Sequence, residues 1–255
     1  MKSRSFSLLT LVVPLMTLIL ILSPSKAAAF PFSPGEVIRF QIKVFGLHVG
    51  YQDMKFTGPV MLNGRRVLHA VADTRSLESI KSAFNYSLHD VIEVWMDPVT
   101  LLPIRVYKDI QEGSWTDKVT IDIDQNNRTA LYRDKRNPNG VRIPLRRATL
   151  DILSLVYYVR AQQAQPGTML SADYIVDNKQ GVKDANIAVR RADPLPVGGR
   201  SVPTLLFEQR GGQGVRLRMT DDANRVPVSI TVGTFKVYGY DIDIVGSLVK
   251  VTRGQ

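Results

Sequence analysis

Residues 36–44 read Glu-Val-Ile-Arg-Phe-Gln-Ile-Lys-Val, and the class of the whole chain can be read outward from them. Ile38, Phe40, Ile42 and Val44 fall on one side of an extended backbone, while Arg39, Gln41 and Lys43 fall on the other. A strand with one face in a core and one in water needs this period of two, because successive Cβ atoms point to opposite faces. The rhythm returns at Ile92, Val94 and Met96, at Ile104 and Val106, and at Val119, Ile121 and Ile123. It returns again at Val215, Leu217 and Met219 and at Val228, Ile230 and Val232. Turn chemistry separates these runs: Asn63-Gly64, Pro138-Asn139-Gly140, Gly198-Gly199 and Gly211-Gly212-Gln213-Gly214. Short turns join antiparallel neighbours, and a twisted sheet of about ten strands curls on itself. The expected fold is therefore mainly β, a curled antiparallel meander sheet forming a barrel or half-barrel.

One segment departs from the rhythm. Ile152, Leu155, Val156 and Val159 are spaced i, i+3, i+4, i+7, with Leu153 and Tyr157 widening the stripe. This predicts one buried helix near residues 151–163, capped by Asp151, with Arg160 near its negative end and Pro166-Gly167 beyond it. Being apolar on most of its circumference, the helix should lie against the concave face of the sheet or plug its mouth. A second, weaker helical turn is expected around residues 76–84, where Leu77, Ile80, Lys81 and Phe84 are suitably spaced.

The first 29 residues have the parts of a secretory signal: Lys2 and Arg4, an apolar run from Leu8 to Leu22, and Ala27, Ala28 and Ala29 at the cleavage site. The run is shorter than the roughly 20 residues of a spanning helix, and Pro14 breaks it. Cleavage after Ala29 is predicted, leaving residues 30–255 as a single β-rich domain with no permanent membrane span. The chain has no Cys at all, so there is no lipobox, no thiolate catalysis and no zinc–thiolate site. The expected destination is the periplasm, as an exported protein that is not a lipoprotein. Without Lys2, Arg4 and Lys26 the chain keeps 30 basic residues against 23 acidic ones, net +7. For an exported protein the polyanions within reach belong to the envelope, and nucleic acid is not an expected partner.

Few residues are arranged for chemistry. His48, His69 and His89 lie on separate predicted strands without HExxH or HxH spacing, which favours hydrogen-bonded strand histidines over a metal site. No GxSxG elbow is present. Asp122/Asp124 and Asp241/Asp243 have i, i+2 spacing, which suits the wet face of amphipathic strands better than a divided acid–base pair. Residues 128–147 are the most basic stretch and read as a hairpin or long loop. Arg133, Lys135, Arg136, Arg142, Arg146 and Arg147 in it are candidate contacts for an anionic ligand, set against the plainer reading of a solvated basic hairpin. No catalytic, cofactor-binding or metal-binding residue is assigned, and no cofactor is expected.

Several short motifs occur in one order: Phe32-Ser-Pro-Gly35-Glu36, Gly46-Leu-His-Val-Gly50, Asp97-Pro-Val-Thr-Leu-Leu-Pro103, Glu112-Gly113, and Asp151-Ile-Leu-Ser-Leu-Val-Tyr157-Tyr-Val-Arg160. In this the chain resembles the exported bacterial family known as domain of unknown function 3108. The resemblance implies no activity, so Gly35, Glu36, Gly50, Pro103, Asp151, Tyr157 and Arg160 are family marks only. Gly35, Gly46 and Gly50 suit turns and tight bends, Pro103 the start of a strand, and Tyr157 with Arg160 a packed polar pair at the barrel mouth.

By analogy of architecture alone, a curled sheet with a helix at its open face is similar to periplasmic lipoprotein carriers, although fold does not fix function. The functional expectation is a non-enzymatic periplasmic protein binding a hydrophobic or amphiphilic envelope component, lipid or lipoprotein, in a cavity between sheet and helix. The alternative is a module docking on another envelope protein or on wall polysaccharide, and an unrecognised hydrolase stands third. Oligomeric state is not read from the sequence.

Overall fold

A computed structural model describes residues 30–175, 181–210, 214–237 and 240–254, without the side chains of residues 233–242. The expected leader, the turn residues Gly211, Gly212 and Gln213, and the Asp241 side chain lie outside the described residues.

The chain begins with β1 (Glu36–Val44), β2 (Leu47–Leu62) and β3 (Arg65–Ser76), crosses α1 (Glu78–Phe84), and continues as β4 (His89–Met96), β5 (Pro103–Glu112) and β6 (Trp115–Asp124). The hairpin β7 (Thr129–Arg133) and β8 (Val141–Pro144) follows, then β9 (Thr149–Leu150) and α2 (Ile152–Ala161). Short β10 (Met169–Leu170), β11 (Asp173–Ile175) and β12 (Val182–Asp184) lead into β13 (Asn186–Val197), β14 (Arg200–Arg210), β15 (Arg216–Thr220), β16 (Pro227–Val237) and β17 (Tyr240–Thr252).

Fourteen strands form one sheet in the order β10-β13-β14-β15-β16-β17-β1-β2-β3-β4-β5-β6-β7-β8. It is two antiparallel meanders joined where the first strand meets the last, Ile38 opposite Val251 and Ile42 opposite Gly246. The sheet ends in the edges β10 and β8 and does not close, so of the two expected forms the open one is found. A small sheet, β12-β11-β9, was not anticipated from the sequence. Its β11/β9 pair is parallel, which the crossover through α2 makes possible.

The turns obey their chemistry. Asn63 and Gly64 both have positive φ (50° and 79°), as a two-residue turn matched to strand twist requires, and Leu62 pairs directly with Arg65. Inward residues of neighbouring strands, among them Ile38, Phe40, Met54, Ala70, Val94, Val106 and Ile121, make one core with Leu153, Tyr157 and Val159 of α2. The outer face is polar and stapled across strands: Arg39 pairs with Asp53, His69 with Glu93, and Asp122 sits between Arg105 and Arg133.

Both helices form where the apolar spacing places them. The Asp151 carboxylate accepts the Leu153 and Ser154 N–H groups, and Ser154 Oγ accepts the Asp151 N–H, completing a capping box. Burial of Leu153, Leu155, Val156, Tyr157 and Val159 holds α2 against the concave sheet. None of the residues of α1 is buried; the helix stops at Asn85, whose φ of 49° is left-handed. No helix among the described residues is long and apolar enough to cross a membrane.

Gly50 requires a correction. It lies inside β2, not in a turn, and a Cβ there would come within 2.3 Å of the Arg75 carbonyl oxygen on β3. The residue is glycine because two backbones approach closely. Gly246 on β17 differs: the nearest atoms to a Cβ would be 3.6 Å away, an ordinary contact. Gly50→Ala is therefore expected to destabilise by about 1–3 kcal/mol, as overpacking does, and Gly246→Ala to stay within about 0.5 kcal/mol of the parent. Urea unfolding midpoints check both, and equal midpoints for the two variants would refute the steric account.

Candidate functional site

The core does not fill the concave face. Beneath α2 lies a cavity of about 100 Å³ whose wall includes Met54, Ala72, Ile92, Leu155, Val159, Phe207 and Leu217. A second cavity, about 490 Å³, opens toward the end of the sheet where β1 turns into β2, between Ile42, Val44, Val49, Leu88 and Ile244 on the strands and Ile80 and Phe84 on α1. Gln52, Ile230 and Val232 belong to both walls, so these side chains stand between the two spaces. Inward positions of adjacent strands line this region, and one of them, Gly246, carries no side chain. The larger space is in the range of small-molecule sites, roughly 300–1,000 Å³, and its lining is hydrocarbon with few polar groups.

The outer opening has an apolar rim. Phe45 is 64% exposed, Leu47 68%, Phe84 71% and Tyr86 40%, and all four line the cavity. Trp115 stands at the same end, where Glu112 pairs with it and Gly113 N–H donates to Ser87. Among the described residues Arg75 is the one charged residue of this wall, and its guanidinium is held by Asp73. Beside the rim, burial raises the Asp90 carboxyl above its ordinary value against the opposing hydrogen bond from Gln111 N–H. Burial and the neighbouring Asp90 likewise raise Glu112. Both carboxyls thus take up a proton more readily than free side chains.

Three family marks converge on the other end of α2. Arg160 is fully buried and its Nη1 donates to Glu36 Oε1 at 2.7 Å, its Nη2 to Glu36 Oε2 at 3.2 Å. Nη2 also reaches the carbonyls of Pro31 and Asn224. Tyr157 packs edge-on against Phe32, and the Arg160 guanidinium lies 5.1 Å from the Phe32 ring centroid and 5.8 Å from that of Tyr157. Burial pushes the Tyr157 hydroxyl far above its ordinary value, so it stays protonated. Arg160 and Tyr157 therefore touch, but the principal partner of Arg160 is Glu36. Arg160 lies in the last turn of α2, as its position in the sequence predicts, and there it also forms a buried ion pair between helix and first strand.

The other marks are structural in their surroundings. Gly35 has φ of 81° in the turn before β1, and Pro103 opens β5. The basic stretch forms the hairpin β7–β8, and its side chains line neither cavity. Arg133 is held by Asp122, while Arg146 and Arg147 both pair with Asp173, itself fully buried, and with Asp184. Lys135 and Arg136 lie in the hairpin loop, where their N–H groups donate to Asp117 and Asp134. Arg142 lies on the outer face beside Arg105 and Asp122. His48 bonds the Gly50 carbonyl, His69 bridges Thr57 and Glu93, and His89 faces Asp73. Among the described residues no group of three or more His, Asp or Glu is arranged to hold a metal ion.

The residues that make the cleft were not singled out by motif. Phe45 and Leu47 did leave a signal, since two large apolar residues flank Gly46 at a turn that normally exposes polar ones. Removing one partner of the buried pair should loosen the helix: Arg160→Met is expected to cost about 3–5 kcal/mol by leaving Glu36 buried without its partner, and Arg160→Met combined with Glu36→Gln to recover part of that. Denaturant titration of the two variants measures this, and a single variant as stable as the parent would deny the pair its role.

No curated protein matches the sequence. Among solved structures, a β-barrel-like protein of domain of unknown function DUF1849 from Brucella abortus aligns with a TM-score of 0.57 at 11% identity, covering 89% of this chain and 100% of its own. A DUF1089 family protein from Pseudomonas aeruginosa aligns with a TM-score of 0.39 at 11% identity, over 69% of this chain and 87% of its own. The first likeness is one of fold, in agreement with the large curled sheet. The model of the family described as protein of unknown function (DUF3108) matches residues 39–239, a span that holds Gly50, Pro103, Asp151, Tyr157 and Arg160 and leaves Gly35 and Glu36 just outside it. With well over half its length matched, the chain belongs to the DUF3108 family.

Proposed function

We propose that this protein binds the hydrocarbon part of an amphiphilic envelope component, a lipid or the acyl end of a lipoprotein, in the apolar cleft that the concave sheet forms with its two helices, without transforming it. The observation that carries the reading is the cavity of about 490 Å³, walled by aliphatic and aromatic side chains and lying next to a second apolar space under α2. Apolar surface left inside a fold costs packing energy, and a hydrocarbon ligand restores it. The polar side chains of the outer wall, Gln52, Thr74, Arg75 and Ser76, are bonded to one another or to near neighbours: Gln52 donates to Thr74, Arg75 to Asp73, and Ser76 Oγ accepts Leu88 N–H. None is paired as nucleophile and base, which supports binding over catalysis. Location in the periplasm belongs to the same proposal and rests on the leader pattern of residues 1–29.

The alternative, a module that docks on another envelope protein, draws on the exposed rim of Phe45, Leu47, Phe84 and Tyr86. The two readings differ in what the cleft contains. Protein expressed with its leader in a Gram-negative host and purified without detergent should be recovered from the periplasm with Phe30 as its first residue. Solvent extraction followed by mass spectrometry should yield near-stoichiometric acyl-bearing lipid. A protein that yields none, and that takes up no dansyl-labelled fatty acid after delipidation, would overturn the binding reading in favour of the module.

A further inference from the structure

The two chambers share three lining side chains, which stand between them, and this group has an unusual composition. Gln52 is polar in a wall otherwise formed there by Ile230 and Val232, and its amide nitrogen is tied back to Thr74 Oγ1 at 2.9 Å. That bond holds the side chain of β2 against β3 and keeps it from swinging freely. Across the concave face, Ile230 pairs with Gly246, and Gly246 pairs with Ile42. Gly246 has room for a Cβ and no positive φ, so neither close packing nor backbone conformation demands glycine there. Glycine weakens the interior of a strand unless something lies over it. What lies over Gly246 is the outer chamber.

We propose that Gly246 and Gln52 set how long a hydrocarbon chain the protein accepts: Gly246 leaves the floor space over which the chain runs, and Gln52, with Ile230 and Val232, forms the gate between the outer and inner chambers. This rests on the binding reading above and adds to it the residues that select among chains. A saturated, unbranched chain is the occupant that fits. It is narrow enough to follow the row of inward positions and carries no polar atom to be stranded beside the aliphatic wall. Each methylene that passes the gate and leaves water adds about fourfold in affinity, and each one stopped at the gate adds nothing. Affinity should therefore climb with chain length and then level off, at a length fixed by these two positions.

The experiment displaces a dansyl-labelled fatty acid from the delipidated full-length mature protein with octanoate, dodecanoate and hexadecanoate, in the parent and three variants. Gln52→Ala opens the gate and should tighten hexadecanoate by at least about tenfold, two further buried methylenes, with octanoate changed by less than about twofold. Gly246→Val fills the floor with a residue suited to a strand, so it should keep or raise the thermal midpoint while weakening hexadecanoate by at least about tenfold. Gln52→Leu keeps the bulk and loses the amide, so a levelling-off point equal to the parent's identifies size, not polarity, as the gate. One chain-length profile common to the parent, Gln52→Ala and Gly246→Val, with the probe bound in each, overturns the gate and leaves the binding reading standing. If the parent binds neither probe nor fatty acid, the binding reading falls and the gate with it.

Discussion

The ion pair between Arg160 and Glu36 spans 124 residues of sequence and lies entirely out of water. A guanidinium and a carboxylate buried together are tolerable only while each keeps the other, since either alone would face a large desolvation cost. The geometry that satisfies them fixes the C-terminal half of α2 above the start of β1. The same guanidinium accounts for the carbonyls of Pro31 and Asn224, so the entry to the first strand and the turn after β15 are fastened to the helix as well. At the other end of the helix, Arg146 and Arg147 enclose the buried Asp173 carboxylate and hold the small sheet beside β9. The helix is thus positioned by polar anchors at both ends, and the stretch between them meets the sheet through apolar contacts alone. An element anchored at its ends can span a space that it does not fill, and this is how an apolar cavity survives under α2.

Much of the architecture was legible because it follows from local rules. Strand β1 alternates so regularly that Ile38 and Phe40 could only be inward, and they are fully buried. Asp151 preceded an apolar stripe and caps it. The small sheet was not legible: β9 and β12 have two and three residues, too few to show a rhythm, and their pairing depends on a crossover. The partner of Arg160 was not legible either, for a different reason. Nothing near Arg160 in sequence distinguishes a buried guanidinium from a solvated one at a helix end, and Glu36 reads equally well as the polar start of a strand. Gly50 was recognised as a residue with a purpose but given the wrong one, because a turn glycine and a close-approach glycine look alike until the neighbouring strand is in place.

The candidate site was still less visible, and the cause lies in the nature of an apolar cleft. A catalytic site announces itself through titratable groups at fixed spacing, whereas a hydrocarbon site is built from the same Ile, Val and Phe as the core around it. Its distinguishing property is what is missing, namely the volume that a side chain at Gly246 does not occupy. The basic hairpin drew attention by its charge, yet Arg133, Arg146 and Arg147 are committed to carboxylates of the chain itself. A net positive composition and a positive binding site are different things, and only the pairing pattern tells them apart.

The distribution of exposed apolar surface gives the cleft its direction. A sheet with free edges invites pairing with other chains, and here the edges are blunted: β8 has four residues and ends in Pro144, and β10 has two. Such economy at the edges contrasts with the end of the sheet, where Phe45, Leu47, Phe84 and Tyr86 remain in water around one opening. Scattered apolar residues on a surface need no explanation, but four around a single cavity mouth form a contiguous surface whose cost in water is recovered when something apolar covers it. Beside it, burial raises the Asp90 and Glu112 carboxyls above their ordinary values. A hydrocarbon chain entering the outer chamber meets one charged group among the described side chains, Arg75, already held by Asp73, and the polar side chain shared with the inner chamber is Gln52.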